Sequence, residues 1–174
     1  MLALFFFAAG CAGQLGTKKE RSATSVDTEG LATKEQQAQA LKGEAILATK
    51  LRGVAREPAT IEEKQVFETI RFDFDKSDIR PDDRIILEKI AVYLKNNRKV
   101  KVSFEGHCDE RGTSEYNMAL GERRSLSARR YLVALGIAPE RLGTVSYGAE
   151  KPLDPGHDET SWRKNRRCEF KIVE

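Results

Sequence analysis

The sequence predicts an α/β (α+β) sandwich in which helices pack on one face of a mixed four-stranded sheet. Short stretches in which every second residue is apolar predict strands, and longer stretches with an apolar stripe every three or four residues predict helices. Along the chain these patterns give the order β-α-β-α-β-β. Strands separated by helices, followed by two consecutive strands, favour one layer of helices against one sheet.

Four segments carry the strand pattern. Residues 70–74 alternate Ile, Phe and Phe with charged residues, and residues 100–104 alternate Val, Val and Phe with Lys and Ser. A short strand is expected at 144–147, and the alternation of Cys, Phe and Ile within 168–173 predicts the last strand. Strands of this length and period have one face in the core.

Two segments carry the helix pattern. Pro81 is followed by two aspartates, a combination typical of a helix start, and the apolar stripe behind it consists of Ile86, Ile90 and Leu94. Thr113 is a suitable N-cap for a second helix over 114–135. Gly136 provides the residue at which that helix ends.

The composition limits the classes of partner. The chain has 174 residues, 40% of them hydrophobic, and a formal net charge of +3 from 30 basic and 27 acidic side chains. This balance is too even to favour nucleic acid, and a single Trp offers little surface for stacking bases. We therefore expect no nucleic-acid partner.

The N-terminus is typical of export. Residues 1–10 contain a short apolar run and predict a signal peptide; the basic segment that normally precedes such a run is missing, so we expect the true start to lie upstream. The small residues before Cys11 resemble a bacterial lipobox, in which this cysteine is lipidated. An ordinary signal peptide with an incidental cysteine is the alternative.

The rest of the chain divides into a tether and a domain. Residues 11–65 are predicted to be a flexible, lipid-anchored tether, because the first part is polar and lacks aromatic residues. A weak helix is possible at 33–52. The folded domain is expected to start near Val66 and to occupy 66–174.

Polar residues cluster around the start of the second helix. Asn117, Leu120 and Arg124 are spaced so that they lie on one stripe of that helix, and Asp109 lies in the loop before it. A carboxylate and a guanidinium about one ligand apart could hold the ammonium and the carboxylate of an amino-acid head. A structural Asp–Arg pair that only fixes the loop is the alternative.

Residues 70–174, about three fifths of the chain, resemble an OmpA-like peptidoglycan-binding domain. More narrowly, they resemble the peptidoglycan-associated lipoproteins of the Tol–Pal system. The stretches that carry the resemblance are FDFDKSDIRP (72–81), GHCDERGTSEYNMALGERRS (106–125), VSYGAEKP (145–152) and GHDE…KNRR (156–167).

The resemblance implies a ligand and a site. In this family the ligand is the diaminopimelate of the peptidoglycan stem peptide, held by an Asp and an Arg that align with Asp109 and Arg124. The resemblance adds Asp75 and Phe74 to the pocket and assigns Asn117 and Leu120 to it as well. It also implies that Asn165 and Arg166 brace the loop over 106–112, which contains Asp109 and which we call the site loop.

The resemblance further implies a cellular role. The protein would be anchored by lipid in the outer membrane, on its periplasmic face, and would link that membrane to the cell wall. A periplasmic β-propeller protein of the Tol system would be a partner, and the system would act in cell division. No cofactor is expected.

Enzymatic and metal-binding alternatives are less well supported by the sequence. A cell-wall hydrolase, or another exported enzyme using the same cleft, would need two opposed carboxylates or an activated nucleophile, and Asp109 and Glu110 are merely adjacent. His107, Cys108 and Asp109 are consecutive and should point to different sides, so no metal site is expected. Cys108 and Cys168 are predicted to be free thiols, although a disulfide is permitted in the periplasm.

Overall fold

The computed structural model describes residues 55–173. The signal peptide, Cys11 and the weak helix predicted at 33–52 lie outside the described residues. The described elements are β1 (Ala55–Arg56), α1 (Ile61–Val66), β2 (Ile70–Arg71), α2 (Pro81–Asn96), β3 (Lys101–His107), α3 (Ser114–Ala134), a 3₁₀ turn (Pro139–Arg141), β4 (Leu142–Gly148), α4 (Glu159–Asn165) and β5 (Arg167–Val173).

The strands form one mixed sheet, which confirms the predicted fold class. Its order is β1-β5-β3-β4, and β2 also pairs with β5. β3 runs parallel to β4 and antiparallel to β5. Cys168 of β5 pairs with Gly106 on one side and Ile70 on the other, so β1 and β2 share the outer edge of β5.

The sheet has five strands within the described residues, where the sequence predicts four. The additional strand, β1, pairs Ala55 with Val173 at the C-terminal end of β5. Two residues are too short to carry an alternating pattern, which is why the sequence does not reveal them. β1 and most of α1 fall within the segment 11–65 that the sequence assigns to the tether, so the described fold begins before Val66.

The first predicted strand is shorter than its pattern suggests. β2 ends at Arg71, and Phe74, which the alternation places in the core, is 56% exposed. The chain turns at Asp75, which adopts the left-handed conformation with φ of 55°. The prediction of a strand over 70–74 is therefore wrong in its second half.

The core lies between the sheet and the helices α2 and α3. Alternate residues of β3 and β5 contact the apolar stripe of α2 and the inner face of α3 in a single cluster. Its fully buried members include Phe72, Leu87, Ile90, Leu94, Val102, Phe104, Leu132, Leu142 and Ile172. Because alternate strand residues share one face, the two long helices pack on the same side of the sheet, as predicted.

The two long helices begin as the sequence predicts. Pro81 is the first residue of α2, and the Thr113 hydroxyl accepts a hydrogen bond of 3.2 Å from the Tyr116 amide at the start of α3. Gly136 follows α3 with φ of 89°, the conformation that favours glycine after a helix. No helix within residues 55–173 has both the length and the hydrophobicity needed to cross a bilayer.

Glu63 ties α1 to β1. Its carboxylate accepts two hydrogen bonds of 3.0 Å from the Arg56 guanidinium, and it also accepts from the amides of Ala59 and Thr60. Thr60 accepts in return from the Glu63 amide, which completes a capping box. The bond from Arg56 and the amides of the cap lower the pKa of Glu63 to about 2, although burial opposes this shift.

The variant Glu63→Gln is expected to be less stable than the wild type at neutral pH by about 1 kcal/mol. Because the folded-state pKa of Glu63 lies below its usual value, the carboxylate stabilises the fold at pH 4.5 and above. This contribution is lost as the pH falls towards 2. Urea denaturation at a series of pH values should therefore show the difference shrinking below pH 4.5.

Glu62→Gln is the matched control, because Glu62 is exposed on the same helix turn. Because substitutions at exposed positions usually change stability little, its variant should have a free energy of unfolding close to that of the wild type at neutral pH. A Glu63→Gln difference that stayed constant down to pH 2 would contradict this role of the carboxylate.

Candidate functional site

A cavity of about 190 Å³ opens where the loop after β2, the loop after β3 and the first turns of α3 meet. We call it the site cavity. It is lined by Phe74, Asp75, Cys108, Asp109, Arg111, Gly112, Tyr116, Asn117, Leu120 and Arg124. The structure thus brings together all six residues that the sequence singles out for a binding site, from three separate segments of the chain.

A close approach of two glycines sets the position of α3 over β3. A Cβ atom on Gly106 would lie only 1.9 Å from the carbonyl oxygen of Gly121, and a Cβ on Gly121 would lie 2.4 Å from the Ser146 hydroxyl. Neither position can carry a side chain in this arrangement. The contact places Arg124, one turn further along α3, beneath the loops.

Arg124 is fully buried and bonds to the loop backbones. Its guanidinium donates to the carbonyl oxygens of Lys76 (2.9 Å), His107 (2.8 Å) and Asp73 (3.2 Å). A guanidinium has five N–H groups, and these bonds use three of them. Burial lowers the pKa of Arg124, but an arginine remains charged at neutral pH.

Asp109 is also buried, and two other arginines hold it. One carboxylate oxygen accepts from the Arg111 amide and Nε, both at 3.2 Å. The other accepts from Arg111 at 2.7 Å and from Arg166 at 3.1 Å. Burial alone would raise the pKa of Asp109, but the hydrogen bonds from Arg111 and Arg166 outweigh it, so that the pKa lies below its usual value.

Of these two ion pairs, the one with the buried Arg166 is structural, as the alternative interpretation of the sequence expects for a loop aspartate. The partner differs from that expectation, because Arg124 bonds to backbone carbonyls and not to Asp109. Both side chains still line the site cavity.

Arg111 is a site residue that the sequence does not single out. Its guanidinium lies between two aromatic rings, 4.0 Å from the ring centre of Phe74 and 4.1 Å from that of Trp162. We call these two rings the aromatic clamp. Because Phe74, Arg111 and Trp162 lie far apart in the chain, residue spacing does not predict that they meet.

The remaining predicted residues form the walls. The Asn117 amide donates to the Arg111 carbonyl oxygen at 3.1 Å and so holds the site loop on α3. Leu120 is buried and supplies an apolar wall. Asp75 accepts a hydrogen bond from the Tyr116 hydroxyl at the rim. Asn117 is thus a scaffold for the loop more than a free donor to a ligand.

Two residues near the C-terminus, Arg166 and Asn165, hold two different loops in place. Arg166 is buried and joins Asp109 to the Phe72 carbonyl and to Glu159. This agrees with the implied role of Arg166 at the site loop. Asn165 instead accepts from the amides of Leu153 and Asp154, so it fixes the loop before α4.

The cysteines are free within the described residues. Cys108 is buried, lines the site cavity and donates to the Asn117 carbonyl, whereas Cys168 is buried in the core on β5. The prediction of free thiols at these two positions is confirmed. Burial raises the pKa of both thiols, which keeps them protonated and unreactive.

A second polar cluster lies on the other face of the sheet. Among residues 55–173, Glu105, His107 and Glu169 are the one group with potential metal-ligand atoms within 4.8 Å of one another. The cations Arg167 and Lys171 already bond to Glu169, at 2.6 and 2.8 Å. Both ring nitrogens of His107 lack a hydrogen-bond partner among residues 55–173, yet a metal ion would have to displace Lys171, so we assign none here.

The fold and the cavity define a class of protein: a small α/β domain whose loops form a charged, buried pocket at the end of a mixed sheet. A family model described as the OmpA family matches residues 71–166. The chain belongs to the OmpA family.

Relatives with known names are similar over the same region. The peptidoglycan-associated lipoprotein of Pseudomonas aeruginosa is 52% identical over 103 residues, which are 59% of this chain and 61% of that protein. The peptidoglycan-associated lipoprotein of Haemophilus influenzae is 49% identical over 105 residues, which are 60% of this chain and 69% of that protein. The chain thus spans about three fifths of the length of the first of these relatives.

Solved structures agree with the fold. The peptidoglycan-associated lipoprotein from Burkholderia pseudomallei matches with a TM-score of 0.59 and 41% identity, over 60% of this chain and 88% of that chain. The C-terminal domain of Helicobacter pylori MotB matches with a TM-score of 0.57 and 22% identity, over 62% of this chain and 84% of that chain. The second similarity concerns the fold alone.

Proposed function

We propose that the protein is an envelope lipoprotein that binds peptidoglycan without covalent chemistry, through the diaminopimelate of the stem peptide. The observation that carries this proposal is the site cavity, in which a buried carboxylate and a buried guanidinium line one small opening. Opposite charges that line one cavity suit a zwitterion. The relatives named peptidoglycan-associated lipoproteins support the choice of ligand.

In the proposed complex the ammonium of the diaminopimelate head bonds to Asp109, and its carboxylate accepts from the Arg124 guanidinium. The carbonyl bonds of Arg124 fix its guanidinium before the ligand binds, so little side-chain entropy is lost on binding. The volume of about 190 Å³ corresponds to about six water molecules. This is room for the charged tip of a peptide but not for a whole sugar chain.

The charge state of the site favours binding over hydrolysis. A glycosidase acid must carry a proton at neutral pH, which requires a raised pKa. The arginine bonds lower the pKa of Asp109 instead, so its carboxylate is ionised and serves as a hydrogen-bond acceptor. On zymograms containing purified cell walls we expect no clearing by this protein.

The proposed function also includes a membrane anchor and a place in the cell envelope. We infer that Cys11 carries the lipid and anchors the protein in the outer membrane on its periplasmic face. The chain would then link that membrane to the cell wall, with the β-propeller protein of the Tol system as a partner during cell division. Intact-mass measurement of the protein extracted from membranes tests the lipid directly.

The variant Asp109→Asn tests the ammonium end of the site. It keeps the shape of the side chain and removes its charge, and we expect at least about tenfold weaker binding to purified sacculi, since a hydrogen bond between charged groups is worth about 1.5–3 kcal/mol. Because Arg166 loses a charged partner, the variant should also unfold at a lower urea concentration. Cosedimentation and urea denaturation measure the two effects.

Glu122→Gln is the matched control, since Glu122 is exposed on α3 and does not line the site cavity. It removes the same charge and should leave cosedimentation at the wild-type level. If a folded Asp109→Asn variant cosedimented as well as Glu122→Gln, the assignment of Asp109 would be wrong.

A further inference from the structure

We propose that Arg111 is a built-in competitor of the ligand: its guanidinium occupies the place on Asp109 that a ligand ammonium takes, and it withdraws when the ligand binds. This inference rests on the proposed function. It makes Arg111 a residue that sets the affinity of the site, although the ligand does not need to contact it.

The hydrogen bonds of Asp109 lead to this conclusion. A carboxylate offers about four acceptor positions, and in the structure all four are used, three by Arg111 and one by Arg166. An ammonium therefore cannot bond well to Asp109 unless one of these donors leaves. Only the bond from the Arg111 backbone amide is independent of an arginine side chain.

The surroundings of the two arginines decide which one leaves. The Arg166 side chain is 4% exposed and is fixed at its other nitrogens by the Phe72 carbonyl, at 3.2 Å, and by Glu159, at 2.6 Å. The Arg111 side chain is 32% exposed and lines the cavity. Releasing Arg111 exposes its charge to water, whereas releasing Arg166 would strand a buried charge, which is far more costly.

Glu159 offers the Arg111 guanidinium an alternative carboxylate partner. One of its guanidinium nitrogens lies 3.8 Å from a carboxylate oxygen of Glu159, and its planar group lies between the rings of the aromatic clamp. A small outward shift along the clamp can therefore exchange Asp109 for Glu159 while the contacts with both rings persist. The stacking reduces the cost of the open state.

The consequence is an equilibrium between a closed cavity, with Arg111 on Asp109, and an open one. The apparent affinity of a ligand is reduced by the fraction of molecules in the open state. Removing the guanidinium should make every molecule open, so it should tighten the binding of a ligand that brings an ammonium. A residue that simply held the ligand would have the opposite effect.

The test is calorimetric titration of the full chain with the tripeptide L-Ala-D-Glu-meso-diaminopimelate. We compare wild type with Arg111→Met, whose unbranched side chain can stay between the two rings but cannot donate to Asp109. Arg111→Met should bind the tripeptide on the order of fivefold more tightly. Arg111→Lys, which keeps a charge but loses the forked geometry, should lie between the two.

Two controls separate this effect from general electrostatics. Arg130→Met removes one positive charge from an exposed position of α3 and should bind like wild type. The same tripeptide with the side-chain ammonium of diaminopimelate acetylated should bind weakly to wild type, and no more tightly to Arg111→Met, since it has no group to replace the guanidinium.

The outcomes are distinct. Equal or weaker binding of the tripeptide to both folded Arg111 variants overturns the inference and makes Arg111 a wall or a direct ligand contact. Tighter binding of the acetylated tripeptide to Arg111→Met also overturns it. If wild type does not bind the tripeptide at all, the proposed function itself fails, and the competitor role fails with it.

Discussion

Replacing Arg124 with alanine is expected to lower the free energy of unfolding by about 3–5 kcal/mol and to abolish binding to the cell wall. The variant removes donors from the carbonyl oxygens of Asp73, Lys76 and His107, and it leaves a hole at a fully buried position. The same change removes the group that holds the ligand carboxylate. Urea denaturation and cosedimentation with sacculi measure the two losses separately.

Arg141→Ala separates stability from binding. The Arg141 side chain donates to the carbonyl oxygens of Asn97 and Val100, outside the site cavity. This variant should also be destabilised, yet its folded fraction should cosediment like wild type.

Arg124→Lys keeps the charge with less disruption and should fold, but it should bind the wall weakly, since an ammonium cannot form the forked bond to a carboxylate. Wild-type binding by Arg124→Lys would argue against a forked contact.

Gly106→Ala is expected to destabilise the protein by about 3 kcal/mol or more, because overpacking at a rigid backbone contact cannot relax easily. The new Cβ would lie 1.9 Å from the Gly121 carbonyl oxygen, so β3 and α3 would have to separate. That separation would also move the carboxylate of Asp109, in the loop after β3, away from the guanidinium of Arg124 on α3. Thermal unfolding followed by circular dichroism measures the first effect.

Gly136→Ala is the control for backbone conformation. In the described part of the chain no atom lies within 4 Å of a Cβ placed on Gly136, so the cost comes from its positive φ. We expect a loss of about 1 kcal/mol there and no effect on the cavity. A Gly106→Ala variant as stable as Gly136→Ala would mean that β3 and α3 are not held as tightly as the structure indicates.

The parts of the fold that the sequence predicts are those with long periodic patterns. The apolar stripe of α2, the Thr113 cap of α3 and the alternation in β5 each depend on local spacing. β1 could not be predicted, since two residues have no period. The exposure of Phe74 could not be predicted either. It depends on a turn in which the carbonyl oxygens of Asp73 and Lys76 accept hydrogen bonds from Arg124, which lies 51 and 48 positions further along the chain.

For the site, the sequence identifies residue types but not their partners. Asn117, Leu120 and Arg124 fall on one stripe of α3 because helix geometry is regular. That Asp109 would bond to Arg111 and Arg166 depends on how α4 and the β3 loop meet in three dimensions. No spacing rule predicts such a contact, and the same is true of the aromatic clamp around Arg111.

The most direct measurement of the central claim is a calorimetric titration of the full chain with two tripeptides that differ only in their third residue. One carries meso-diaminopimelate and the other carries lysine, which keeps the ammonium but lacks the second carboxylate. Because Arg124 would have no carboxylate to hold, the lysine tripeptide should bind at least about tenfold more weakly than the diaminopimelate tripeptide. Equal affinities for the two tripeptides would contradict a site built for a zwitterion.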